Sequence, residues 1–276
     1  MRRHTGATAL IRRGTVTLTA LAVTVAGVSG CGAVERAGSA GSASPAPSAS
    51  KSPKEILLAS VPDDAKGPVR FSGKDATNDI TGSVDPAAKA IQLNTSIEDP
   101  EHRFTMQMGY LIIGQQVWMK VSFKAAKGVT GLPKLPNKWL KLDPAKVTDK
   151  DATPAYDGAD QGNAGHLFNA ATTVQDKGNG EYAGVIDLTD GTAAQVLDAD
   201  QMKALGQQAK SIPFRATLGP DHNLASLTMD VPAAGKNKAF TYVVKYSEYG
   251  HAPKLGAPAA DQAQDAPAAA YDLLNG

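Results

Sequence analysis

One residue type at one position carries the clearest chemistry in this chain. Cys31 is its only cysteine. It follows an apolar stretch from Thr15 to Val28 and the small residues Val28-Ser29-Gly30. Upstream, Met1–Arg13 holds Arg2, Arg3, Arg12 and Arg13 and no acid. A basic start, a short apolar core and small residues at the junction make a secretory signal peptide. A cysteine at that junction looks like the lipidated residue of a bacterial lipobox. That resemblance implies a diacylglyceryl group on its thiol, and two acyl chains anchor stably where one is marginal, at about 0.8 kcal/mol per buried CH₂. The apolar run is shorter than the about 20 residues of a membrane span. The expectation is an extracytoplasmic protein anchored at the outer face of the cell membrane.

Other reactive side chains do not assemble into recognisable sites. After removal of residues 1–30 the histidines are His102, His166, His222 and His251, dispersed and without metal-ligand spacing. Ser48-x-x-Lys51 matches a serine–lysine pattern in letters alone, because it lies in a stretch that cannot hold nucleophile and base together. Gly178-Asn179-Gly180 is a hairpin turn without the strand-to-helix setting of a dinucleotide loop. Asp157-x-x-Asp160 lacks the alternating oxygen ligands of a calcium loop. No catalytic residue, metal or cofactor is expected. A hydrolase whose triad comes from distant residues remains a third alternative.

Charge narrows the partners. Cleavage before Cys31 takes basic residues from 28 to 24 against 27 acidic ones, so the net charge moves from +1 to −3. That leaves no global electrostatic case for nucleic acid. With a single thiol, no internal disulfide forms and the core alone must hold the fold. Aromatics are 5% of the chain, so that core is mainly aliphatic.

The elements that must position any site begin after a tether. Gly32–Ser50 is mostly Ala, Gly, Ser and Pro with almost no large apolar residue, unable to bury enough surface to fold, with a mean reach of roughly 25 Å. Ser52-Pro53-Lys54-Glu55 is a capping box with proline at the first helical position. Strands are expected at Val69–Lys74, Asp79–Val84 and Ala90–Ile97. His102–Ile113 and Gln116–Lys124 form a hairpin around a type II′ turn at Gly114-Gln115. That turn sets Ile112 against Val117, Tyr110 against Met119, Met108 against Val121 and Met106 against Phe123, all on one side, and a one-residue slip would destroy the segregation. Further strands are expected at Trp139–Leu142, Val174–Asp176, Tyr182–Leu188, Pro213–Leu218, Leu224–Val231 and Lys238–Tyr249. Helices are expected at Asn163–Ala171 and, broken, over Thr192–Ala209. From Ala252 the chain reads as an extended or loosely packed Ala/Pro-rich tail.

Two features could bind something. Half of the six methionines, Met106, Met108 and Met119, fall on the apolar hairpin face, where unbranched polarizable side chains suit either an adaptable surface or ordinary packing. Lys120–Lys146 is rich in lysine with Asp143 as its only acid, suited to anionic headgroups or to plain solvation.

Six segments, Gly114–Lys120, Asn137–Pro144, Tyr182–Thr189, Ile212–Phe214, Leu224–Met229 and Tyr246–Gly250, together resemble the actinobacterial LppX/LprG-type (LolA-like) lipoproteins. The resemblance implies an α+β fold, a strongly curved antiparallel β-sheet forming an open half-barrel that cups a few short helices. It also implies a cavity that takes acyl chains of lipids or glycolipids. The implied organisation is a signal peptide (1–30), lipidated Cys31 with its tether (31–51), the half-barrel (52–251) and the tail (252–276). The expected lining is Phe104, Met106, Met108, Tyr110, Met119 and Val121, in a monomer that is not an enzyme. The alternative is an interaction or sensory module whose core is filled by Leu167, Phe168, Met202 and Leu205.

Overall fold

The computed structural model describes residues 51–276, apart from 77, 100, 150 and 151. The signal segment, Cys31 and the tether lie outside the described residues.

Local signals near the start act as expected. The Ser52 hydroxyl accepts from the Glu55 N–H, and the Glu55 carboxylate accepts from the Ser52 N–H at 2.7 Å. This closes the N-terminus of α1 (Pro53–Ser60). Leu57, on its inward side, is fully buried.

Five strands follow: β1 (Val69–Lys74), β2 (Asp79–Asp85), β3 (Ala90–Asp99), β4 (Phe104–Ile113) and β5 (Gln116–Ala125). Each pairs antiparallel with the next. The β4–β5 register pairs Ile113 with Gln116, Tyr110 with Met119 and Met106 with Phe123, as the turn arithmetic requires. Gly114 has φ +59°, the conformation a II′ turn needs at its first central residue. Beyond a loop come β6 (Trp139–Lys141), α2 (Ala164–Asn169), β7 (Ala171–Gly178) and β8 (Glu181–Ile186). After them come α3 (Ala199–Leu205), β9 (Ile212–Leu218), β10 (Leu224–Val231) and β11 (Phe240–Ser247).

Two more elements close the chain, β12 (Ala263–Asp265) and α4 (Ala268–Asn275). Twelve strands form one unclosed, curved sheet in the order β12-β6-β5-β4-β3-β2-β1-β11-β10-β9-β8-β7. The two halves of the chain meet where β1 pairs with β11. The sheet is mixed, since β12 runs parallel to β6.

The C-terminal residues depart from the sequence reading. The tail expectation fits 253–259, which has no regular structure, and fails beyond it. Alanine-rich 268–275 forms a helix because alanine costs no side-chain entropy there. Ala270, Tyr271 and Leu274 join the core, and the Tyr271 hydroxyl accepts from the Asp143 N–H at 2.9 Å.

Period-2 alternation sends one face of the sheet inward. Ile91, Leu93, Ile112, Met119, Phe214, Leu227, Tyr242 and Val244 make that face one core with Leu57, Leu167 and Phe168 from the helices. Phe168 meets the Phe214 ring at 5.8 Å. Helix α2 has no side-chain cap from its own Asn163. Asp160 serves instead, accepting from the N–H groups of Ala164 at 3.0 Å and Gly165 at 2.8 Å, and from the Tyr246 hydroxyl.

Candidate functional site

The expected lining residues share one face of β4 and β5. The register sets Phe104 opposite Ala125, Met106 opposite Phe123, Met108 opposite Val121 and Tyr110 opposite Met119. Ile97, Thr95 and Leu93 of β3 continue the rows. The six residues therefore form one ladder, with two different environments along it.

The inner end is closed. Tyr110, Met119 and Val121 are 5%, 0% and 4% exposed. The Tyr110 hydroxyl donates to the Ala152 carbonyl at 3.1 Å, so the segment between β6 and α2 lies over this end. Burial pushes the Tyr110 hydroxyl pKa well above its ordinary value. Tyr110 and Met119 are core, and a ligand reaching them would have to displace the protein's own chain, whereas the almost fully buried Val121 borders the open part of the face.

The outer end is half open. Phe104, Met106, Met108 and Phe123 are all half-buried. Phe104 and Phe123 meet edge to face, with centroids 5.9 Å apart. Strand β6 reaches only Trp118 and Met119 of β5, so β5 has no strand partner on that side beyond Met119. The loop 126–138 follows directly, held by the Ala126 N–H donating to the Arg103 carbonyl at 3.0 Å. Between strand and loop lies a groove of about 970 Å³, its apolar wall made by Val121, Phe123, Val129, Leu132 and Leu135. That volume lies within the usual range of small-molecule sites.

Charge frames the groove asymmetrically. Lys141 lies over the Trp118 ring at 5.8 Å and Lys146 over the Tyr271 ring at 5.5 Å, so these two lysines have cation–π partners within the fold. Lys124, Lys127, Lys134 and Lys138 are exposed on the strand end and the loop, with Lys134 on the groove wall. None of the residues lining the groove is acidic. A trough with an apolar wall and the Lys134 ammonium group beside it can take a chain of methylenes and hold a negative group next to it.

Sequence reasoning placed Phe123 on the right rung and left it off the lining. It missed Val129, Leu132 and Leu135. Their signal was three apolar residues spaced three apart in a Gly/Pro/Lys loop, a pattern belonging to no regular element.

The histidines are scattered in space as in sequence. His102 pairs with Asp99 at 2.8 Å and His166 with the Thr192 hydroxyl at 2.6 Å, both at the surface. Among the described residues no group of three His, Cys, Asp or Glu stands where it could hold a metal ion. Among them, too, no helix is long and apolar enough to cross a membrane.

Comparison with protein-family models gives no match, and comparison with curated proteins gives none either. Among solved structures, a porin-like protein from Bacteroides uniformis is similar at a TM-score of 0.17 and 8% identity. The match spans 68% of this chain and 98% of that one. A likeness that slight bears on neither fold nor function.

Proposed function

We propose that this chain is an extracytoplasmic lipoprotein, held to the membrane by acyl groups on Cys31, that binds an acyl-chain lipid. In this reading the curved sheet is a LolA-like half-barrel. The lipid lies in the groove between the outer end of β4–β5 and the loop 126–138. The observation that carries the proposal is the 970 Å³ groove, with an apolar wall, Lys134 in its lining and no acid among the lining residues. Burying a methylene is worth about 0.8 kcal/mol, so ten methylenes give roughly 8 kcal/mol before the cost of immobilising the chain. Lys134 suits a phosphate or carboxylate headgroup. The protein carries the lipid and does not transform it.

A second reading has its own support. The closed inner end, sealed by Tyr110 and Ala152, favours a filled-core module that presents its surface to another envelope protein. Titration with a fluorescent long-chain fatty acid separates the two. The lipid reading expects saturable binding that weakens at least roughly tenfold in Phe123→Asp. Absence of saturable binding by the unaltered protein leaves the interaction module.

A further inference from the structure

The face of the sheet turned away from the core carries further hollows, the nearer of which meets the lipid groove at Ser122. We infer that it binds an acidic saccharide, with the Trp139 indole as its stacking platform.

The register builds the site. Thr81, Asn94, Gly109 and Lys120 stand side by side on β2, β3, β4 and β5. One step along, Asp79, Ser96, Gln107 and Ser122 form a parallel row. Strands lie about 4.8 Å apart, so hydroxyl and amide groups repeat across the sheet at that interval. Gly109 interrupts the first row. A β-carbon there would meet the Asn94 amide oxygen at 3.1 Å and the Trp139 indole at 3.6 Å. The half-buried indole lies beside a hollow of about 440 Å³ bordered by both rows. A second hollow of about 640 Å³ shares Thr81 and Asn94 with the first. It runs on past Ser72 and Gln92 to Lys245, walled by Pro253 and Leu255 of the C-terminal segment. The Leu255 N–H fixes that wall by donating to Asp85 at 3.1 Å.

The lining selects a chemistry. A pyranose has an apolar C–H face and a rim of hydroxyls. The first suits an aromatic ring with one side open, and the second suits amides and hydroxyls that donate and accept. The Ser122–Gln107 contact is long at 3.5 Å, which leaves that amide available. Arg70 is already paired with Glu248 at 2.7 Å and Asp79 with Lys74 at 3.5 Å. Lys120 and Lys245 have no carboxylate partner among the described residues, which leaves the trough cationic. Two ammonium groups along a polar trough call for a sugar that carries carboxylates.

The two tryptophans make the test direct, because Trp118 is buried at 4% exposure and Trp139 faces the hollow. The full chain is titrated with hyaluronan hexasaccharide and with neutral maltohexaose, by emission and by calorimetry. Hyaluronan hexasaccharide is expected to alter Trp139 emission with a salt-sensitive affinity. The expected loss is roughly tenfold in Trp139→Ala and several-fold in Lys120→Gln and in Gln107→Ala. The last two lie at surface positions and guard against a folding defect in the first. No response to hyaluronan hexasaccharide at about 10 mM overturns the site, since that excludes even millimolar affinity. Affinity unchanged in both Lys120→Gln and Gln107→Ala also overturns it, as does equal affinity for maltohexaose.

Discussion

The Tyr110 hydroxyl and the Ala152 carbonyl, 3.1 Å apart, divide the inward face of the central hairpin into a sealed part and an open part. On one side of that bond Met119 has no exposure, and on the other Phe123 is half-buried beside a groove. Residues that share a strand and a face thereby have different roles.

Substitution separates those roles. Met119→Ala removes a fully buried side chain and should destabilise the fold by about 2–5 kcal/mol. Phe123→Asp should cost less stability and abolish acyl binding, because it puts a charge into the apolar trough. Chemical denaturation and fatty-acid titration of both variants check this. Equal loss of stability in the two would place Phe123 in the core.

Asp160 offers a prediction in pH. Removal from water raises its pKa above the ordinary 3.8, against the opposing pull of the Gly165 N–H, the Tyr246 hydroxyl and the Ala164 N–H. An acid whose pKa rises on folding binds its proton more tightly in the native state. Its contribution is full below pH 3.8 and is lost as pH rises through the raised value. Asp160→Asn removes that titration, so its cost in stability should be larger at about pH 3.5 than at about pH 7. Denaturant unfolding of both proteins at the two values measures the difference. A cost that grows with pH would mean that the hydrogen bonds, and not desolvation, dominate. Asp160→Ala removes the same titration and leaves three donors unpaired, so it should cost about 3 kcal/mol at about pH 7 and more at about pH 3.5.

The C-terminal helix should behave as part of the domain. Tyr271→Ala removes a buried ring and the acceptor for the Asp143 N–H, an expected loss of roughly 3 kcal/mol. A melting curve shifted down in one cooperative step checks it. An unchanged midpoint would show that α4 docks without contributing stability.

Cys31→Ser should release the protein into the medium, because in the proposed reading the acyl groups on Cys31 are what hold it to the membrane. Fractionation of cells and medium reads the outcome. Retention of the variant at the membrane would mean that something other than acylation holds it.

Much of the sheet was legible because its signals are local. Alternation and a two-residue turn specify the β4–β5 register to the residue, and Ser52 with Glu55 marks the start of α1. The meander of β9, β10 and β11 follows from turns between alternating strands. Strand β12 and helix α4 were not legible. Three residues, Ala263–Asp265, hold too little pattern to announce a strand, and its parallel pairing with β6 depends on a chain path set by tertiary contacts. The candidate lining was legible as a face and not as a depth. Alternation puts Met106 and Met119 on the same side, but only the path of the segment between β6 and α2 decides which one water reaches. The groove wall at Val129, Leu132 and Leu135 was hidden for a similar reason, since loop residues carry no period.

Lipid carriage itself is most directly tested by mass spectrometry of the protein purified in full from its own membrane. Lipids bound apart from the Cys31 acyl groups are released by organic solvent and weighed. The account predicts a near-stoichiometric acyl lipid from the unaltered protein and its depletion in Phe123→Asp. Protein that arrives free of such lipid, and that takes up none when offered, would contradict it.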